Sequence, residues 1–247
     1  MKLLIACMAL LLACRKSDGP DRWPDVEKLA TPTVTAADGA LLTAALERVT
    51  DDDVPEMALE GAIAWHKAGG GLPWRGGRAM DDRRIFRALK VGEALIERRP
   101  DNAEATATAL YLGQRLRAEG PFLIDVMIGF SLAAKAQQKL AGKPEYAAFA
   151  PTEAEARRAI PADATGFLQM MKETKADDPA VAGTIRKAYV EMLVDAPADR
   201  AGYEARIAHM VAKAEKSDVL RLVISPRLPT LTKEMFDGID SYRAWAR

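Results

Sequence analysis

Apolar residues recur at helical spacing through almost all of the chain after residue 36, and convincing strand alternation is missing. Residues three, four and seven positions apart share one face of a helix, so this spacing predicts amphipathic helices. The most strand-like segment is 220–224, and a single strand cannot form a sheet. The pattern therefore predicts an all-α protein, an irregular bundle of about nine helices that forms one domain over residues 36–247.

Helix-capping residues divide this pattern into segments. A side-chain oxygen just before a helix accepts hydrogen bonds from its first amides, and a Glu three residues later completes a capping box. The predicted helix starts are Asp53 with Glu56, Asp101 with Glu104, Thr152 with Glu155, Asp178 before Pro179, and Asp199. Residues 228–231 are predicted to be a proline-broken connector before a last helix at 232–246.

The segment 122–134, FLIDVMIGFSLAA, is apolar on almost every side. A helix of this kind is buried rather than amphipathic, and this one is too short and too interrupted to cross a membrane. It is predicted to lie at the centre of the domain.

Positive and negative charges balance in this chain. There are 35 Lys and Arg residues and 35 Asp and Glu residues, and they interleave without a basic stripe. A protein that binds nucleic acid needs clustered positive charge to neutralise phosphates. The composition therefore gives no reason to expect nucleic acid as a partner.

The N-terminus reads MKLLIACMALLLAC. Lys2 precedes an unbroken apolar run of a length typical of a secretory signal and too short for a stable transmembrane helix. The run ends Leu-Leu-Ala-Cys at Cys14 and is followed at once by a polar stretch. This resembles the lipobox of bacterial lipoproteins. The alternatives are an uncleaved anchor and an ordinary secreted protein.

The lipobox resemblance implies a modification and an address. Residues 1–13 would be a cleaved signal peptide, and Cys14 would carry a diacylglyceryl group and a further acyl chain, such as palmitate. Two or three acyl chains anchor a protein firmly in a membrane, whereas one does not. Residues 14–35 would be the lipidated cysteine and a flexible tether, because they are rich in proline and charge. The domain would face the periplasm or the cell surface, and Arg15 in place of Asp after the cysteine favours the outer membrane.

Residues 88–102, ALKVGEALIERRPDN, resemble the second helix of a tetratricopeptide repeat. The next segment resembles the first helix of a following repeat, so the similarity covers residues 88–135. Such a repeat would nest paired helices through small residues. A plain helical hairpin explains the pattern as well, and no further copy follows at a fixed period.

The glycine-rich segment after Trp65 and His66, which contains Trp74 and Arg75, is the most unusual part of the chain. Exposed aromatic residues on such a loop can stack on a sugar or fill a pocket of a partner. The alternative is a loop that folds back so that Trp74 fills a gap in the core.

Asp125 is the second point of interest, because a carboxylate within an apolar helix must be paired, act as a cap or be neutral. The first turn of a helix favours an anion, and an ion pair with Arg84 or Arg115 is a second explanation. A catalytic acid is the third.

No segment carries a catalytic, cofactor or metal-binding signature, so no cofactor and no metal are predicted. The main hypothesis is a membrane-anchored, non-enzymatic lipoprotein whose helical domain binds another envelope protein or acts as a scaffold. The alternative is an envelope protein that binds or hydrolyses glycans with the Trp65–Arg75 region, helped by Glu56 or Glu60.

Overall fold

The computed structural model describes residues 21–32, 38–74, 83–140, 144–174, 176 and 178–247. Over these residues the protein is an all-α multi-helix bundle without strands, as predicted. The described part contains ten helices of eight residues or more, a single helical turn (α10) and one 3-10 segment. They are α1 (Trp23–Ala30), α2 (Ala40–Glu47), α3 (Glu56–Lys67), α4 (Arg84–Arg98), α5 (Ala103–Glu119), α6 (Leu123–Lys139), the 3-10 segment (Pro144–Phe149), α7 (Glu153–Glu173), α8 (Pro179–Leu193), α9 (Arg200–Ala214), α10 (Leu220–Val223) and α11 (Leu228–Trp245).

Two apolar clusters meet at α6, the helix predicted to be central. Helices α2 to α5 contribute most of the first cluster, and α1 with α7 to α11 contributes most of the second. Leu132 of α6 belongs to the first cluster and Val126 to the second. Because α6 packs against α4, α5, α7 and α11, it joins the two halves of the domain.

Helices α5 and α6 approach most closely at two glycines. A Cβ atom on Gly129 would lie 2.5 Å from the carbonyl oxygen of Gly113 and 3.1 Å from the backbone nitrogen of Arg117. Only glycine therefore fits at Gly129 without moving one helix away from the other. This contact falls within the predicted hairpin at 88–135, and the resemblance of that hairpin to tetratricopeptide repeats stays a prediction.

Two buried arginines hold helix ends together. Arg117 donates from Nε to Glu155 Oε2 at 3.1 Å and from Nη2 to the carbonyl oxygen of Phe149 at 2.9 Å. Arg158 donates to the carbonyl oxygens of Arg117 and Gly120 at the end of α5, and to that of Ala30 at the end of α1. Burial lowers the pKa of Arg158 to about 10, so the guanidinium stays charged at neutral pH and offsets the negative ends of two helices.

Several helix boundaries follow the predicted caps. Thr152 and Glu155 form the predicted capping box of α7, and Asp178 and Asp199 cap α8 and α9. The predictions at Asp53 and Asp101 were wrong. Helix α3 begins after Pro55 without a side-chain cap, and the cap of α5 is Asn102, one residue beyond Asp101.

Two predicted segments have a different conformation. Leu220–Val223, the most strand-like segment, is a helical turn. The last helix begins at Leu228 and not at residue 232, because Pro229 stands in its first turn, where a missing amide hydrogen costs nothing.

Part of the predicted tether is helical. Helix α1 packs against α7 and α8 and buries Trp23 and Val26. Arg22 also forms an ion pair with Asp195, with Nη1 and Oδ2 2.7 Å apart. These contacts come from residues more than 100 positions away, so the short local pattern of α1 did not indicate them.

Candidate functional site

The two tryptophans of the glycine-rich segment are buried. Trp65 is 0% exposed and Trp74 is 1% exposed. Trp65 Nε1 donates to the carbonyl oxygen of Gly71 at 3.0 Å, so its ring holds the loop that follows it. Arg75 lies outside the described residues. The described part of the loop, up to Trp74, therefore folds back on the core, and neither indole is available to stack on a sugar.

A polar row on α5 binds the backbone of the same loop. The Tyr111 hydroxyl donates to the carbonyl oxygen of Gly70 at 2.9 Å, and Arg115 Nη2 donates to that of Gly69 at 3.2 Å. Arg115 also pairs with Glu119, whose other carboxylate oxygen accepts from the Leu72 amide at 3.0 Å. Sequence reasoning missed this row, although its three members recur every four residues and so share one face of α5.

His66 is half-buried, and its ring contacts α5. Its ring stacks on Tyr111 with centroids 4.5 Å apart, and its Nδ1 lies 3.0 Å from Thr108 Oγ1. The Thr108 hydroxyl donates to the Glu104 carbonyl oxygen, so the Nδ1–H of His66 donates to Thr108. Burial lowers the pKa of His66.

Glu56 and Glu60 do not join His66. Both carboxylates bind Arg99 on the exposed side of α3. The structure thus separates Glu56 and Glu60 from His66, which the glycan hypothesis grouped together. None of these three side chains lines the two cavities described below.

Asp125 caps α6. It is fully buried, and its Oδ2 accepts from the Phe122 amide at 2.9 Å. This is the predicted first-turn role, in which a carboxylate meets the exposed amides and the positive end of the helix. Arg115, one of its two predicted ion-pair partners, binds Glu119 instead.

An open groove with a volume of 650 Å³ lies beside the N-terminal half of α6. Its other walls are α4, the second half of α7 and the first half of α11. Eight apolar side chains line it: Phe86, Phe122, Leu123, Ile124, Met127, Phe167, Met170 and Leu231. Three charged residues complete the lining: Asp163, Arg227 and Glu234. We call this space the α6 groove.

Two of the eight apolar side chains that line the α6 groove are exposed, and the other six are half-buried. Phe86 is 53% exposed and Ile124 is 42% exposed. On α7 and on α11 the lining residues recur at intervals of four and three, so each helix presents one face two turns long. This partly exposed apolar surface makes the α6 groove the candidate binding site of the described residues.

A second cavity of 440 Å³ lies next to the α6 groove, between α6 and α11. Met127 and Glu234 line both spaces. The lining of the second cavity includes several small residues: Ser131, Ala133, Ala134, Gly238 and Ser241. Its far end is crossed by a hydrogen bond of 3.2 Å between Ser241 Oγ and Gln137 Oε1.

Comparison with protein-family models, curated proteins and solved structures gives no match to this chain. Within the described ranges, no three His, Cys, Asp or Glu side chains could together hold a metal ion. No described helix has the length and hydropathy of a membrane span.

Sequence reasoning missed the α6 groove because its walls come from four separate helices. The sequence did contain one indication of it, in the segment 122–134. This helix is apolar on almost every side, whereas a helix that packs on the core with one face needs apolar residues on that face only. One side of that helix forms the core and another forms the groove.

Proposed function

We propose that this protein is a lipid-anchored bacterial envelope protein whose helical domain is a binding module. Only the sequence supports the lipid anchor. An apolar run that ends in Leu-Leu-Ala-Cys supports cleavage before Cys14 and lipidation of its sulfur, and these residues lie outside the described part of the structure.

The observation that carries the binding role is the α6 groove. Apolar surface that stays in contact with water in the free domain contributes about 25 cal/mol per Å² when a partner covers it. Phe86 and Ile124 would lose most contact with water on binding, because they are the most exposed apolar members of the lining. The groove thus supports the interaction role predicted from the sequence, in which the domain binds another envelope protein.

Lipid labelling tests the anchor. Cells that express the chain are grown with a labelled fatty acid, and the purified protein is analysed for label and for mass. We expect label on the wild-type protein, removal of residues 1–13, and loss of both in Cys14→Ser. An unmodified sulfur at Cys14, or a retained leader, would contradict the proposal.

Site-specific photo-cross-linking tests the binding surface. A photoreactive phenylalanine analogue replaces Ile124 in the groove or, as the control, Met57. Met57 is 65% exposed on α3 and lies outside the groove lining. We expect adducts with envelope components from the Ile124 position and few from the Met57 position. Equal yields at both positions would show that the groove is not the binding surface.

A further inference from the structure

We infer that the α6 groove and the second cavity together bind a single-chain anionic amphiphile. The acyl chain lies along α6 and α11, and the anionic head lies beside Arg227. This inference rests on the proposed function, because it names the class of ligand that the proposed binding site takes.

The length of the combined space fits one acyl chain. On α11 the lining runs from Arg227 in the α6 groove to Ser241 in the second cavity. These residues are about 21 Å apart along the helix axis at 1.5 Å per residue. An acyl chain in one leaflet of a bilayer spans about 15 Å, half of the hydrocarbon core. The space therefore holds one chain and leaves room for a head group.

The width of the space changes along its length in a way that suits a tail. The α6 groove has a volume of 650 Å³, and its lining includes the large, flexible side chains of Met127 and Met170. The second cavity is smaller, at 440 Å³. At Gly238 a Cβ atom would already contact the Phe130 ring at 3.4 Å, so an acyl chain would pass beside these two residues and not between them. A methylene chain is much narrower than an α-helix with its side chains, which is about 10–12 Å across.

Charge sets the direction of the ligand. Arg227 is exposed at the start of α11, and in the described part of the chain its guanidinium has no ion-pair partner. The amino-terminal end of α11 adds partial positive charge at the same place. Glu234 lies two turns further along, and Asp163 Oδ1 already accepts from the Leu123 amide at 3.0 Å. An anionic head is therefore favoured at Arg227 and disfavoured deeper in the groove.

The helix that walls the groove also contacts α1, the helix that follows the proposed anchor in the chain. Phe167 and Met170 of α7 face the groove, whereas Leu168 and Lys172 line a separate cavity that α7 shares with Trp23 of α1. The groove and α1 are thus on different sides of a single helix. Cys14 precedes Trp23 by nine residues, which span at most about 30 Å. A lipidated Cys14 would keep the groove near a bilayer, which is a source of acyl chains.

The test uses the mature chain with Cys14→Ser and isothermal titration below the micelle concentration of each ligand. The ligands are palmitate, palmitoyl-lysophosphatidylglycerol, decanoate and hexadecyltrimethylammonium. We expect one palmitoyl chain to bind per protein. Decanoate, which does not reach the second cavity, should bind at least tenfold more weakly, and so should the cation. The tighter of the two palmitoyl ligands identifies the source as free fatty acid or membrane lipid.

Two variants test the two ends of the site. Ala134→Leu fills the second cavity, so it should weaken palmitate binding at least tenfold and change decanoate binding less than twofold. Arg227→Glu should reverse the preference between palmitate and the cation. The matched control is Arg243→Glu on the same helix, which lies outside both cavity linings and should change nothing. Far-UV circular dichroism checks that each variant is folded.

The results separate this inference from the proposed function. If Ile124 cross-links to a protein and no palmitoyl ligand binds, the inference is wrong and the binding role stands. If palmitate binds equally well to the wild type, Ala134→Leu and Arg227→Glu, it binds elsewhere and the inference is wrong. Chain-length and charge effects in the predicted direction support it.

Discussion

The close approach of α5 and α6 makes a quantitative prediction about one methyl group. In Gly129→Ala the new Cβ would lie 2.5 Å from the Gly113 carbonyl oxygen and 2.6 Å from Arg117 Cγ. Neither neighbour moves easily, since one is helix backbone and the other belongs to the side chain of Arg117, whose buried guanidinium binds Glu155. Overpacking of this kind costs about 1–3 kcal/mol.

The same substitution has an intrinsic benefit that must be subtracted. Alanine is better than glycine in a helix interior by about 1 kcal/mol. Because a buried network must shift, we take the upper part of the overpacking range and expect Gly129→Ala to lower the free energy of unfolding by about 2 kcal/mol. For a chain of this size that lowers the Tm by about 4–8 °C.

Gly183 provides the matched control. It is exposed on α8, and a Cβ atom there would have no neighbour within 4 Å. Gly183→Ala should therefore raise the free energy of unfolding by about 0.5–1 kcal/mol. Urea unfolding of the Cys14→Ser chain, followed by far-UV circular dichroism, measures both variants. If Gly129→Ala is as stable as the wild type, the two helices are not as close as described and the reasoning fails.

Three further predictions follow from buried groups. Arg117→Met should lower the free energy of unfolding by about 3–5 kcal/mol because it leaves Glu155 buried without its partner, and Glu155→Gln in the same chain should restore more than half of the loss in urea unfolding. A double variant no more stable than the single one would show that the ion pair is not the cause. Burial lowers the pKa of His66 in the folded chain. Below the ordinary histidine pKa of about 6.5, the unfolded chain therefore binds a proton at this residue more readily than the folded chain. The free energy of unfolding should accordingly fall as the pH drops below that value. His66→Gln should reduce this pH dependence in urea unfolding at a series of pH values, and an unchanged dependence would contradict the assignment. Trp74 is buried, so Trp74→Phe should leave acrylamide quenching of the remaining tryptophans almost unchanged, whereas a large loss of quenching would show that Trp74 is exposed.

Local signals predicted the fold class and several helix starts. A cap depends on atoms within three residues of one another, so Thr152 with Glu155 and Asp178 before Pro179 were correct. Where two candidate caps stood side by side, as at Asp101 and Asn102, the sequence did not indicate which side chain would reach the free amides.

Contacts between distant segments were not predictable in the same way. Helix α1 is eight residues long, and its two buried side chains are too few to give a periodic signal. The α6 groove is a gap between helices, and its existence depends on how four of them cross. The apolar character of 122–134 indicated that the helix needs covering on several sides, but not which side stays open.

Trp74 shows the same limit at a single residue. The sequence left two interpretations, an exposed aromatic residue and a core filler. The structure selects the second, because Tyr111, Arg115 and Glu119 on α5 together bind the backbone of the preceding loop. Those three residues are about 40 positions away in the chain, so only the folded arrangement of α5 against the loop decides between the interpretations.

The guanidinium of Arg158 determines how a pulling force on the N-terminal end would reach the rest of the domain. Force applied through the N-terminal end would reach the domain along α1, whose last turn is joined by Arg158 to the end of α5. A pulling force would therefore act on the interior of the bundle as well as on α1, because α1 could not separate from the bundle without breaking these hydrogen bonds. In single-molecule stretching from residue 14, α1 should extend at the same force at which the hydrogen bonds from Arg158 to α1 and α5 break. The force–extension curve should therefore show one rupture step for both events and not two.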